Sequence, residues 1–66
     1  MQYQNLSTSS VRDLHLAIHR ALAEDDARLP HQREYGVRLT PDWKVHADAL
    51  EAVLASRGVW FIPTGL

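Results

Sequence analysis

The sequence contains no cysteine, which excludes disulfides, cysteine-ligated zinc and thiol catalysis. A chain without disulfides fits a reducing compartment. Nor is there an excess of positive charge. Seven Lys and Arg stand against eight Asp and Glu, a formal net charge of -1. A domain built to hold a phosphate backbone carries a clustered positive excess instead. No apolar run is longer than Val59 to Ile62, far short of the roughly 20 residues that span a bilayer. The chain opens Met1-Gln2-Tyr3-Gln4-Asn5, with no basic segment leading into an apolar core, so no secretory signal and a cytoplasmic location are expected. Two signatures of enzyme chemistry are also missing, the Gly-x-Ser-x-Gly elbow and the phosphate-cradling glycine loop.

What is present belongs to an ordered globule: 45% of the residues are hydrophobic, with two tryptophans. Sixty-six residues make one domain, 1–66. A domain near this size buries only about 60% of the surface its unfolded chain exposes, and such chains are commonly supported by a metal or a partner subunit.

Residues 1–6 are polar apart from Met1, Tyr3 and Leu6 and suit a flexible arm or an edge strand. Ser7-Thr8-Ser9-Ser10 then opens a helix, since each hydroxyl can accept from an orphan N–H of the first turn. Two registers are open. Ser10 as N-cap puts Asp13 at N3, while Ser7 as N-cap pairs Leu6 with Val11 in a hydrophobic staple. Val11, Leu14, Ile18, Ala21 and Leu22 recur at spacings of three and four, one apolar stripe of an amphipathic helix over about 8–27. Glu24, Asp25 and Asp26 oppose the dipole at its end, and Pro30 forbids continuation.

Thr40-Pro41-Asp42 carries the start of a second helix: a capping threonine, proline at N1 and an acid in the first turn. Trp43, His46, Ala47, Leu50, Val53 and Leu54 share one face over 41–57. Gly58 is placed to end this helix in the left-handed conformation, with Val59 touching Leu54 as in the Schellman motif. Between and after the helices, Tyr35-Gly36-Val37-Arg38-Leu39 alternates like a strand, and Val59-Trp60-Phe61-Ile62 is strand-like by residue type. The expected fold is therefore α+β: two helices on one face of a small sheet formed by short strands near 35–39 and 59–62. Pairing of those strands across the second helix makes a parallel βαβ unit with a right-handed crossover.

Alternation along 59–62 sends Val59 and Phe61 one way, Trp60 and Ile62 the other. Two helices on one side of the sheet cannot cover the opposite side, so Trp60 and Ile62 are expected to be exposed. Leu16, which projects away from the stripe of the first helix, joins them as a candidate contact. Exposed contiguous apolar surface marks interaction sites. The expected function is accordingly a protein-interaction module, a homodimer or an accessory or regulatory subunit, and not an enzyme.

Two rival functions have their own residues. Arg33, Arg38 and Lys44 could form a local basic patch for nucleic acid. A helix-turn-helix, however, joins its helices by three or four residues, and the connector here is much longer. His15 and His19, four apart on one helix, have metal-ligand spacing, with His31 or His46 as a third ligand. Position 16 is leucine, so the glutamate of a metalloprotease helix is missing, and two histidines at this spacing are common by chance. No cofactor or metal is expected. His46, between Trp43 and Leu50 on the apolar face, reads as a hydrogen-bonded core histidine, or else as a pH-sensitive contact. Asp48, Glu51 and Lys44 read as solvated surface.

Overall fold

A computed structural model describes residues 2–66 of the chain. Its first helix, α1, spans Thr8–Asp26. The Ser7 hydroxyl accepts from the Ser10 N–H at 3.1 Å, which decides the register: Ser7 is the cap. Leu6 then packs on the cluster that contains Val11, as the staple requires. The second helix, α2, spans Pro41–Ser56. Thr40 occupies its N-cap position but makes no side-chain cap, so Pro41 and Asp42 are the local features that favour this start. At the other end Gly58 adopts φ +68°. The Val59 N–H reaches Leu54 O at 3.0 Å and the Gly58 N–H reaches Ala55 O at 3.1 Å, the bond pair of a Schellman ending.

The helices run antiparallel. Ala21 and Leu22, late in α1, pack with Trp43, early in α2. Val11 and Ile18 share a cluster with Ala47, Leu50 and Leu54. At the far end, Arg57 Nη1 bonds Thr8 Oγ1 at 3.0 Å. The fold is a helical hairpin with a folded connector and an irregular C-terminal segment.

The α+β expectation is thus corrected: among the described residues there is no strand and no sheet. The alternating segment 35–39 cannot serve as a strand because its backbone donors are already engaged. The buried Asp25 carboxylate accepts from the N–H groups of Tyr35 at 3.2 Å and Val37 at 3.0 Å. Leu39 and Thr40 N–H groups both return to Gly36 O, at 3.0 and 2.9 Å, and Gly36 turns at φ +59°. The result is a turn, with Val37 only 2% exposed and Leu39 83% exposed, instead of both on one sheet face. With 35–39 closed, residues 59–62 have no strand to pair with, and the βαβ unit does not form.

Burial by itself raises the Asp25 carboxyl pKa, but the Val37 and Tyr35 amides and the Arg33 charge outweigh it and hold the group below its ordinary value. The N-terminal segment is no edge strand either. Tyr3–Asn5 make one 3-10 turn, held by Arg57 Nη2, which donates to the carbonyls of Gln4 at 2.9 Å and Leu6 at 2.8 Å.

Candidate functional site

The C-terminal segment crosses the N-terminal half of α1, and the two enclose a groove of about 740 Å³ with Leu54 among its lining residues. Val59 and Phe61 turn inward onto the core. Trp60 and Ile62 stay outside, 80% and 61% exposed, and Leu16 of α1 is 46% exposed. All three line this groove, so leucine and tail residues far apart in sequence form one apolar surface. Arg12 and Asp13 add polar groups to its lining.

Polar groups facing the core fix the tail in place. His15 is buried, and its Nε2 lies 3.0 Å from Glu51 Oε2. A carboxylate can only accept, so Nε2 carries the proton and donates. The same oxygen accepts the Thr64 N–H at 3.0 Å. Burial pushes the Glu51 pKa upward, but the bonds from His15 and Thr64 prevail and lower it. One turn along, His19 Nε2 donates to the carbonyl of Ile62. The His15 ring stands edge-on to Phe61 at 5.5 Å and to His19 at 4.8 Å between ring centres. The histidine pair is therefore a clamp on the tail.

Among the described residues no group of three or more His, Asp or Glu could hold a metal ion. His31 lies in the 3-10 turn Pro30–Gln32, and His46 borders the opposite side of the hairpin. His46 is not a core residue. It is exposed, with its Nδ1 2.6 Å from the Tyr3 hydroxyl.

The basic residues proposed for nucleic acid are all engaged. Arg33 Nε donates to the Asp25 carbonyl at 2.8 Å. Arg38 forks onto both oxygens of Asp26, at 3.0 and 2.9 Å, and that fork holds the Asp26 carboxyl below its ordinary range. Lys44 pairs with Asp48 at 3.0 Å.

Two anchoring carboxylates, one behind the tail and one under the connector, escape sequence reasoning. Glu51 reads as surface, because its partners His15 and Thr64 are remote in sequence. Asp25 reads as a charge that frays α1, and its unfavourable place at the negative end of a helix is itself the available signal of compensation from elsewhere. No helix among the described residues is long and apolar enough to cross a membrane. Comparison with family models, curated proteins and solved structures finds no match to this chain.

Proposed function

We propose that the protein is an interaction module, an accessory subunit that docks an apolar peptide segment of another protein into the groove between α1 and the C-terminal tail. The observation that carries this is the exposure of Trp60, 80%, beside Ile62 and Leu16 on one groove. Large apolar side chains exposed singly are ordinary, but contiguous ones mark interaction surfaces. Tryptophan is also among the residues enriched at the energetic centres of interfaces.

The clamp supports the same function. His19 and Glu51 bond the tail backbone at Ile62 and Thr64, and His15 holds Glu51 in place, so Trp60 and Ile62 are presented on a pinned segment and little ordering cost remains for binding. Both imidazoles at the groove have their Nε2 engaged, His15 with Glu51 and His19 with the Ile62 carbonyl, which suits a structural role for the pair. Nucleic acid is the weaker alternative because Arg38 and Lys44 are paired with acids. A cytoplasmic setting belongs to this proposal and suits a chain without cysteine.

A displayed library of random peptides supplies the test. Wild-type protein should enrich peptides with a shared apolar pattern. These should lose binding to Trp60→Ala and Ile62→Asp but keep it to Leu39→Ala, a control on the remote connector. Absence of enrichment, or equal binding to all three variants, would sink the proposal.

A further inference from the structure

The hairpin has a second open apolar surface, on the side away from the tail. There the seam between the helices forms a groove of about 570 Å³. Leu14 and Ala17 stand on its α1 wall and Trp43 on its α2 wall. Leu14 belongs to the apolar stripe of α1, yet it is 39% exposed, and Tyr3 and Tyr35 border the same groove.

We infer that this seam is the interface with a second copy of the chain, two hairpins packing face to face into a four-helix bundle. Three observations commit the surface to that occupant. First, the chain alone is less compact than its length warrants. Its radius of gyration is 12.3 Å, against about 11 Å for a globule of this length. Its accessible surface is 4597 Å², against about 4,250 Å² for a folded monomer of this mass.

Second, the size is right. The hairpin measures 38 × 20 × 17 Å, so its broad face is of the order of the ~800 Å² per partner that a stable dimer buries.

Third, the charges on the rim are self-complementary. Arg20 and Glu24 lie on the α1 wall and Asp42 on the α2 wall, all toward the connector end of the hairpin, and Glu24 sits beside the Tyr35 hydroxyl of its own chain. Among the described residues neither Arg20 nor Asp42 has an ion-pair partner within the chain. A two-fold axis parallel to the helices exchanges the two walls at constant height. It sets Arg20 of one copy against Asp42 of the other, twice over, and lays each helix antiparallel to the one it faces. An unrelated partner has no reason to meet both signs in that arrangement, whereas a closed symmetric pair satisfies them reciprocally.

Sedimentation of the full chain from micromolar to millimolar concentration, with helicity followed by circular dichroism, decides the matter. Wild type should be a dimer. Ala17→Glu, at an exposed helical position, should be a helical monomer. Arg20→Asp and Asp42→Arg should each weaken association about tenfold, an effect ordinary for an interfacial charge pair. The double exchange should restore it, a recovery that damage to the start of α2 cannot mimic because the double variant carries the same damage. Trp60→Ala should remain dimeric, which separates this surface from the peptide groove. Three results would each overturn the inference: a monomeric wild type at millimolar concentration, an Ala17→Glu dimer, or a double exchange without recovery.

Discussion

Trp60 and Leu54 both line the groove, and replacing each with alanine should produce opposite phenotypes. Trp60 is 80% exposed, so the fold shields about a fifth of a side chain that can bury up to ~250 Å². At about 25 cal/mol per Å², those ~50 Å² contribute at most about 1.2 kcal/mol to stability. The denatured chain shields part of the same surface, so the expected loss for Trp60→Ala is below about 1 kcal/mol. A docked peptide would cover most of the remaining ~200 Å², about 5 kcal/mol gross. After ordering costs, at least about 2 kcal/mol should survive, the threshold of an interface hot spot and about 30-fold in affinity.

Leu54, at 0% exposure, behaves the other way. Leu→Ala in a closed core costs about 2.7–5 kcal/mol. A domain of 66 residues has only about 3–10 kcal/mol in total, so Leu54→Ala should lose about a quarter of the stability or more. Urea titration followed at 222 nm measures stability, and fluorescence anisotropy of a labelled library-selected peptide measures affinity. If Trp60→Ala destabilises the fold as much as Leu54→Ala and leaves peptide affinity intact, the indole is a structural element and the docking argument is refuted.

Acid should destabilise the protein. Glu51, Asp25 and Asp26 all have lowered pKa values in the fold, so their contribution is complete above the unfolded carboxylate pKa of about 4. It drains away as pH falls through that value and on through the folded ones. Urea midpoints measured over this range should decline, and Glu51→Gln should flatten the decline. A slope unchanged by that substitution would remove Glu51 from the account. Asp25→Ala should leave the Tyr35 and Val37 amides without their acceptor, seen as faster hydrogen exchange at those two positions and a lower melting temperature. Unaltered exchange would mean that the turn holds itself. Gly58→Ala puts a Cβ at φ +68° with nothing within 4 Å of it, so the loss is conformational, about 1–2 kcal/mol. A smaller shift in the urea midpoint would show that the Schellman ending is dispensable.

The helices were legible because their determinants are local. Val11, Ile18 and Leu22 declare a period, Pro41 and Asp42 a start, and Gly58 with Val59 an end, each within a turn or two of the residue it governs. The strands were misread for the converse reason. Residues 35–39 alternate, but the acceptor of their amides is Asp25, a side chain at the close of α1, and no propensity scale carries that competition between carboxylate and ladder. Residues 59–62 are strand-like in type, and type alone cannot supply a neighbouring strand. His15 illustrates the same limit. Its spacing with His19 is shared with metal pairs and with chance, and says nothing of its partner, Glu51 on the other helix. Leu16, Trp60 and Ile62 were each nameable from the chain, whereas their meeting on one groove depends on the path of the tail.

A two-helix layer has two faces, and the segments outside the helices here are too short to cover both. The tail spends Val59, Phe61 and Leu66 on the cluster around Val11 and Leu54, leaving Leu14 and Ala17 bare on the other side. Had the sheet formed, one face would have been covered and Trp60 would have been the main apolar surface left over. Because it does not form, there are two surplus surfaces with different characters. The seam is built from helix walls that carry Arg20 on one side and Asp42 on the other, which suits a symmetric copy, and a copy seated there would add stability by mass action. The tail groove is built around side chains whose removal costs the fold little, so it is free to serve a partner. Separating the two by variant is therefore meaningful: concentration-dependent melting should respond to Ala17→Glu and be indifferent to Trp60→Ala.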